Sequence, residues 1–305
     1  GYERDYGAAL TIAASTVGPI FPPSIPLVLY ATIAQISSVK SLLGGVGPGI
    51  LMSLMLLFYV LLVDKKKLVN PPMEKALVKE ERSMGELLLR ALPIAIAPVL
   101  ILITMLSGIF SPGETGGMAV LYMLLLGIFH RSLTWHGFWK CVKETCKSVS
   151  SIMVIMTAGG IFTKALMLEN LPAKIIALLG PVANVPIAVI LIVNIILLIM
   201  GMFMESNCAL ILTAPIVLQI TQGFGMDPVY IGVMMVMNLM IGLSTPPFGL
   251  CIYAVSRVAN VPSEKVIKSV VPMYIPLGIA LILTSLIPAI TTFVPNTIMG
   301  LLAGG

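Results

Sequence analysis

Charged side chains are scarce in this sequence. Only 10% of its 305 residues are Asp, Glu, Lys or Arg, whereas soluble domains carry about 25%. Hydrophobic residues make up 58%, and the mean hydropathy is +1.05. This composition excludes an ordinary soluble domain and predicts an integral membrane protein in a lipid bilayer. The net charge of +5 does not indicate a nucleic-acid partner, because the basic residues stand beside the ends of apolar runs.

Residues that bind transition metals or carry out acid–base catalysis are also few. The histidines, His130 and His136, lie in one segment, and the four cysteines have no metal-like spacing with them. We therefore interpret the cysteines as free thiols and expect no transition-metal site. Asp5, Asp64 and Asp227 lie at the ends of apolar runs, which argues against a membrane protease with two buried aspartates. The sequence predicts no catalytic residue and no cofactor, so we do not expect an enzyme.

What the sequence does contain is an interruption rich in glycine and proline that occurs twice. Residues 18–24, GPIFPPS, interrupt one long apolar run, and residues 242–249, GLSTPPFG, interrupt another. Gly18 and Gly242 are 224 residues apart, and so are the two Pro-Pro pairs. Proline removes a backbone donor and clashes with the preceding turn, so neither run can form one continuous helix. In hydrocarbon each freed backbone group needs a partner, so matching breaks suggest a function that uses these groups.

A polar heptapeptide, GMFMESN at residues 201–207, separates two apolar arms. Each arm has about 15 residues and reaches about 22 Å, less than the roughly 30 Å of a hydrocarbon core. This length predicts a re-entrant hairpin over residues 183–222 with its tip inside the membrane. With such a hairpin, counting single crossings puts 15 of the 18 Lys and Arg residues on one side, as the positive-inside rule requires.

These features divide the chain into four predicted parts. Residues 1–63 form the C-terminal part of a first repeat, with a broken span and a return span, and residues 64–90 form a charged cytoplasmic loop. Residues 91–147 hold two connecting spans and a basic amphipathic segment. Residues 148–305 form a second repeat with a span, the hairpin, a broken span and a return span. We expect an all-α integral membrane protein with inverted repeats and discontinuous helices, as in secondary transporters.

The second repeat begins well before its broken span, whereas the first broken span begins near Gly1. We therefore expect that a matching hairpin precedes Gly1 and that the chain is a fragment of a longer protein.

Candidate site residues lie at the hairpin tip and at both breaks. Glu205 is the one acidic residue placed deep in an apolar stretch, and such a charge is a functional candidate by default. Small hard cations such as Na⁺ bind oxygen ligands, which carboxylates, hydroxyls and freed backbone carbonyls provide. The residues predicted to bind cations are Gly201, Glu205, Ser206, Asn207, Gly242 and Thr245 in one site, and Gly18, Phe21 and Pro23 in an equivalent site.

Polar side chains near the breaks are candidates for facing a substrate: Ser15, Thr16, Ser24 and Asn238. Ser and Thr in membrane helices also commonly bond to the backbone of a kink, and this structural alternative applies to Thr245 as well. Asn238, one turn before Gly242, either connects the hairpin with the broken helix or bonds to another helix. Glu114 follows Ser111 by three residues and is expected to cap a helix rather than bind substrate.

Several stretches resemble the large membrane subunit of TRAP transporters, the tripartite ATP-independent periplasmic transporters. They are GYERDYGAA at 1–9 running into STVGPIFPPSIP at 15–26, SPGE at 111–114, GMFME at 201–205, and NLMIGLSTPP at 238–247. The resemblance covers essentially the whole chain. It implies an elevator-type importer that uses Na⁺ as the coupling ion and carries an organic acid: a C4-dicarboxylate, sialic acid or a related carboxylate. It also implies two equivalent Na⁺ sites, and the family often has Asp where Glu205 stands here.

The resemblance further implies two protein partners, a small membrane subunit and a periplasmic substrate-binding protein, and a multi-pass location in the bacterial inner membrane. Two other functions are considered. A stand-alone cation-coupled dicarboxylate carrier would have similar hairpins but need no binding protein. A passive channel would also use broken helices but would conduct without Na⁺ coupling.

Overall fold

The structure is a computed structural model that describes residues 3–67, 84–107, 110–170, 174 and 185–303. Within these ranges the regular elements are helical. The α-helices are α1 (Arg4–Ser15), α2 (Ile25–Ala34), α3 (Ser38–Lys67), α4 (Met84–Leu106), α5 (Pro112–Phe129), α6 (Trp135–Leu168), α7 (Pro186–Phe203), α8 (Ser206–Gln222), α9 (Pro228–Leu243), α10 (Leu250–Ala259), α11 (Ser263–Val270), α12 (Tyr274–Leu286) and α13 (Ala289–Ala303).

Four stretches in the described part of the chain are long and apolar enough to cross a membrane. They are Ser38–Val63, Pro112–Phe129, Pro186–Phe203 and Ser263–Leu286. Large apolar side chains on them are exposed on the protein surface, for example Leu57 and Phe58 of α3, as expected where lipid surrounds a helix. The prediction of an all-α membrane protein is confirmed.

Two predicted boundaries fall inside helices. Part of the predicted loop 64–90 is helical, because α3 continues to Lys67 and α4 begins at Met84, while residues 68–83 lie outside the described residues. The end of the basic segment at residue 147 and the apolar run after it belong to the single helix α6. No proline follows Lys147 until after α6 has ended, so the backbone has no reason to break there.

The chain divides into two compact units, residues 70–154 and residues 1–69 with 155–305. In the first of these, α4 packs against α5, and the Tyr122 hydroxyl donates to the Pro93 carbonyl at 2.7 Å. A reciprocal capping box begins α5. The Ser111 hydroxyl accepts from Glu114 N, and Glu114 Oε2 accepts from Ser111 N at 2.8 Å. The predicted capping role of Glu114 is confirmed.

Both interruptions separate helices in the larger unit. Between α1 and α2 the chain is non-helical from Thr16 to Ser24, which we call the first break. Ser24 is the N-cap of α2, and its hydroxyl accepts from Leu27 N at 3.1 Å. Between α9 and α10 the break runs from Ser244 to Gly249. The Pro22–Pro23 and Pro246–Pro247 peptide bonds are cis. The second break thus lies within the predicted interruption, whereas the first begins two residues before it, because the ring of Pro19 clashes with the carbonyl four residues earlier.

The two broken regions share their element order. α1, α2 and α3 begin 224 or 225 residues before α9, α10 and α11. Their packing is reciprocal, because α1 contacts α10 and α11 while α9 contacts α2 and α3. Such an exchange of equivalent contacts is the pattern of a two-fold arrangement. The copies differ at one proline: α3 continues through Pro48, whereas a 3-10 turn (Val271–Met273) surrounds Pro272. Their opposite orientation in a membrane stays a prediction.

The core of the larger unit lies around α9, where every residue from Val229 to Gly242 is buried. Gly232 lets an aromatic side chain lie directly on this helix, because a Cβ there would stand 2.1 Å from the ring of Tyr30 in α2. The Tyr30 hydroxyl donates to the Pro228 carbonyl at 2.7 Å. The first broken region is thereby fixed to the start of the second.

Candidate cation-binding site

The predicted hairpin is present as α7 and α8, which Met204 and Glu205 separate. The first arm is longer than the sequence indicates, since α7 has 18 residues and is long and apolar enough to cross a membrane. Arm length alone therefore does not keep the tip inside the bilayer. The re-entrant placement of the tip stays a prediction.

Glu205 forms the N-cap of α8, and its neighbours hold its carboxylate. Oε2 accepts from Cys208 N at 3.1 Å, while Oε1 accepts from Asn207 Nδ2 at 2.8 Å and from the Ser206 hydroxyl at 3.2 Å. The carboxylate therefore has a fixed position at the tip. Negative charge at this position also stabilises the N-terminus of α8.

The Asn207 side chain presents an oxygen at the same tip. Because its amide nitrogen donates to Glu205, its Oδ1 must point the other way. This Oδ1 is buried and has no hydrogen-bond partner among the described residues. A buried acceptor without a donor is unfavourable, by about 1–3 kcal/mol, unless water or an ion satisfies it. The tip thus offers a carboxylate and an unsatisfied amide oxygen, which is donor chemistry that fits a hard cation.

Two contacts join the hairpin tip to the second break. Gly201 of α7 lies against Gly242 of α9 so closely that a Cβ on Gly242 would stand 2.8 Å from Gly201 Cα. Only glycine permits this backbone approach. Next to it, the rings of Phe203 and Phe248 lie with centroids 5.5 Å apart, and both side chains are more than half exposed. The structure therefore brings Gly201 and Gly242 together, as the predicted site requires.

The close approach also brings two helix C-termini together. α7 ends at Phe203 and α9 ends at Leu243, each within a turn of the glycine contact. The last carbonyls of a helix have no intrahelical partner and carry partial negative charge. Around the second break, the Gly242 carbonyl accepts from Thr245 N at 2.8 Å and the Ser244 carbonyl accepts from the Tyr274 hydroxyl. Two negative helix ends at the Gly201–Gly242 contact make this region favourable for a cation.

Hydroxyl groups at the breaks donate to nearby backbone carbonyls. Thr245 Oγ1 donates to the Ile241 carbonyl at 2.7 Å, which is the structural role that the sequence left open for it. The candidates of the first break do the same: Ser15 donates to Ile12, Thr16 to Ala13, and Ser24 to Pro19. Thr16 and Ser24 are buried and Ser15 is exposed. Each hydroxyl oxygen keeps lone pairs, so roles as cation or substrate ligands stay predictions.

The first break packs against α3. A Cβ at Gly45 would stand 2.1 Å from the Ile20 carbonyl, and one at Gly49 would stand 2.9 Å from the Phe21 ring. Gly18, Phe21 and Pro23 are exposed. The hairpin packs against α2, α9 and α12. The Gly201–Gly242 contact brings the hairpin tip to the second break, and the roles of Gly18, Phe21 and Pro23 as cation ligands stay predictions.

Sequence reasoning singled out Asn238 but missed its partners, Asn194 and Ser285, which help to hold the hairpin arm α7 on α9. Asn238 Nδ2 donates to the Asn194 carbonyl at 2.8 Å and to Asn194 Oδ1 at 2.7 Å. Asn194 Nδ2 donates in turn to Ser285 Oγ of α12 at 2.9 Å. Asn238 is fully buried and connects the hairpin with the broken helix, while a substrate contact for it stays a prediction. The signal was present, because Asn194 is a lone amide within an apolar arm.

Comparison with known proteins identifies one family. Residues 1–290 match the family model described as tripartite ATP-independent periplasmic transporter, DctM component. The sialic acid TRAP transporter large permease protein SiaM of Vibrio cholerae is 33% identical over 303 residues, which cover 98% of this chain and 69% of that protein. The C4-dicarboxylate TRAP transporter large permease protein DctM of Pseudomonas aeruginosa is 32% identical over 297 residues, which cover 97% and 69%.

A third relative is longer. The isethionate TRAP transporter permease protein DctMQ of Oleidesulfovibrio alaskensis is 34% identical over 294 residues, which cover 96% of this chain and 46% of that protein. The chain thus spans from less than half to about two thirds of the length of these relatives. The family and these relatives are transporter permeases, not enzymes, in agreement with the sequence. The chain belongs to the DctM component of the tripartite ATP-independent periplasmic transporters, the large permease of the TRAP family.

Proposed function

We propose that the protein is the large permease subunit of a Na⁺-driven secondary transporter that imports an organic acid. The names of the relatives specify sialic acid, C4-dicarboxylate and isethionate, which are all organic acids. A periplasmic substrate-binding protein delivers the acid, and a small membrane subunit accompanies the permease in the bacterial inner membrane. The family's description as tripartite and periplasmic supports both partners.

The observation that carries the Na⁺ proposal is the unsatisfied Asn207 Oδ1 beside the fixed Glu205 carboxylate. Na⁺ binds oxygen ligands and needs little else, so a carboxylate, an amide oxygen and carbonyls at helix ends provide its chemistry. The glycine contact between α7 and α9 brings the carbonyls of the second break close to this tip. We assign Glu205 and Asn207 as side-chain ligands, with Thr245 and the carbonyls around Gly201 and Gly242 completing the site. Ser206 positions the carboxylate.

We also propose an elevator mechanism, in which a rigid body carries the site across the membrane. Such a body must hold the hairpin and the broken helix together during movement. Buried side-chain hydrogen bonds run from Asn238 of α9 to Asn194 of α7, and from Asn194 to Ser285 of α12. This linkage of three helices supports the proposal. Polar contacts between membrane helices are individually modest, about 1 kcal/mol, but three helices share this one.

The experiment uses the complete permease with its small subunit and binding protein in proteoliposomes. Uptake of a labelled C4-dicarboxylate or sialic acid is measured with an inward Na⁺ gradient, with equal Na⁺ on both sides, and with K⁺ replacing Na⁺. We expect accumulation with the Na⁺ gradient only. Glu205→Gln should abolish or strongly weaken this dependence. The matched control is Glu169→Gln, the same chemical change at an exposed acid paired with Lys174.

Each alternative function gives a distinct result. Uptake that is indifferent to the Na⁺ gradient contradicts coupling, and equilibration without accumulation indicates a channel. Undiminished accumulation without the binding protein indicates a stand-alone carrier. If Glu205→Gln and Glu169→Gln show the same Na⁺ dependence as the unaltered protein, Glu205 is not part of the site.

A further inference from the structure

A separate surface of the chain carries aromatic and basic side chains that the proposed transport site does not use. We refer to residues 129–147 as the basic-aromatic segment. Its tryptophans, Trp135 and Trp139, are 75% and 46% exposed, and they are the two tryptophans of the whole sequence. Their rings are 5.7 Å apart, and Phe138 lies within 6.0 Å of both. Three aromatic rings thus form one cluster that protein covers only in part.

A tight turn places this cluster near one end of a membrane-length helix. α5 has 18 residues and is therefore about 27 Å long, close to the thickness of a hydrocarbon core. The chain leaves the helical path at Arg131, which has φ 52°, and the Gly127 carbonyl accepts from Ser132 N at 3.0 Å. Thr134 then caps the start of α6, because its hydroxyl accepts from Gly137 N at 3.1 Å. The turn is so short that the first residues of α6 stay near the level where α5 leaves the bilayer.

Basic residues occupy the stripe of α6 next to the aromatic cluster. Trp135, Phe138 and Trp139 share one face, being three and four residues apart. Lys140, Lys143 and Lys147 are likewise spaced three, four and seven residues apart and share a neighbouring face, on which all three side chains are exposed. With Arg131 the segment has four basic residues, whereas Glu144 is its one carboxylate. The segment therefore carries a net positive charge, although Glu144 shares the face of the lysines.

We infer that the basic-aromatic segment binds anionic phospholipid at the membrane surface. Tryptophan rings favour the boundary between acyl chains and headgroups, and helices with an aromatic face beside a lysine-rich face lie in that boundary. The lysine stripe matches the negative charge of anionic headgroups. Because Lys140 directly follows Trp139 and the two faces adjoin, a helix that lies in this boundary brings both to the same lipid layer. The segment therefore selects lipid by charge as well as by hydrophobicity.

The test measures quenching of tryptophan fluorescence by brominated lipids in the complete permease with its small subunit, reconstituted in nanodiscs. Two nanodisc preparations contain the same mixture of phosphatidylglycerol and phosphatidylcholine. In one preparation part of the phosphatidylglycerol is brominated, and in the other the same mole fraction of phosphatidylcholine is brominated. Subtracting the signal of the Trp135→Phe, Trp139→Phe double variant isolates these two residues. Each lysine near an anionic surface favours anionic lipid by about fivefold. We therefore expect clearly stronger quenching by brominated phosphatidylglycerol.

A triple variant tests the lysines directly. Lys140→Gln, Lys143→Gln and Lys147→Gln together should remove the difference between the two brominated lipids while quenching itself continues. The matched control removes three exposed charges elsewhere: Arg257→Gln, Lys265→Gln and Lys268→Gln should retain the difference. Equal quenching by both lipids in the unaltered protein would overturn the selectivity for anionic lipid. Absence of quenching by either would overturn the membrane contact and indicate that protein covers the rings.

Discussion

Adding one methyl group at Gly242 perturbs the contact on which the candidate cation site depends. A Cβ at this position would stand 2.8 Å from Gly201 Cα and 3.0 Å from both Gly201 C and the Leu198 carbonyl oxygen. All three atoms belong to the backbone, so none can rotate away. Ordinary contact begins at 3.4 Å, and α7 must therefore move from α9 by about 0.6 Å. This movement would displace the hairpin tip from the second break.

The expected change in the free energy of unfolding follows from two opposing effects. Overpacking of this kind costs about 1–3 kcal/mol in free energy of unfolding. Alanine is also a better helix former than glycine by about 1 kcal/mol, which acts in the other direction. Gly278 of α12 separates the effects, because a Cβ there meets nothing within 4 Å. Gly278→Ala should therefore show only the gain in helix stability. The free energies of unfolding of the two variants should differ by about 1–3 kcal/mol.

The assay is thermal unfolding of the purified complex, followed by Na⁺ titration of uptake in proteoliposomes. We expect Gly242→Ala to unfold at a lower temperature than the unaltered protein and to need more Na⁺ for half-maximal uptake. Gly278→Ala should unfold at the same temperature as the unaltered protein or at a higher one, and its Na⁺ requirement should be unchanged. If the two variants are equally stable and have equal Na⁺ requirements, α7 and α9 do not approach as closely as described.

Three further substitutions test other contacts by the same methods. Asn194→Ala removes a buried acceptor from Asn238 and should lower the free energy of unfolding by about 1–3 kcal/mol, and unchanged thermal unfolding would contradict the linkage. Tyr274→Phe frees the Ser244 carbonyl and should shift the Na⁺ titration, whereas an unaltered titration would separate this carbonyl from the site. Ser111→Ala should cost about 1 kcal/mol without changing Na⁺ dependence, because it removes only the helix cap.

Local chemistry explains why the breaks, the hairpin and the capping box could be predicted from sequence. The breaks at Pro19 and Pro246 follow from the missing backbone donor and the clash of the proline ring, which act within one turn. The turn at Glu205 follows from polar residues between apolar arms. Ser111 and Glu114 cap their helix through contacts three residues apart. Each of these signals depends on neighbours in sequence.

Contacts between distant residues could not be predicted in the same way. Asn194 and Ser285 are 91 residues apart, and their pairing requires the helices to be packed first. The Gly201–Gly242 approach likewise depends on the crossing of two helices, because glycine at either position is equally compatible with an isolated helix. The orphan oxygen of Asn207 appears only when its amide nitrogen is seen to face Glu205.

Stabilisation of the protein by Na⁺ tests most directly whether the hairpin tip and the second break hold a cation. A ligand that binds the folded state raises its stability by RT ln(1 + [L]/Kd), about 2.7 kcal/mol at one hundred times Kd. Thermal unfolding of the purified complex is measured in Na⁺ and in K⁺ at equal ionic strength. We predict that Na⁺ raises the unfolding temperature of the unaltered protein and of Glu169→Gln, and that this increase is clearly smaller in Glu205→Gln. An equal Na⁺-specific increase in Glu205→Gln would contradict a site at Glu205.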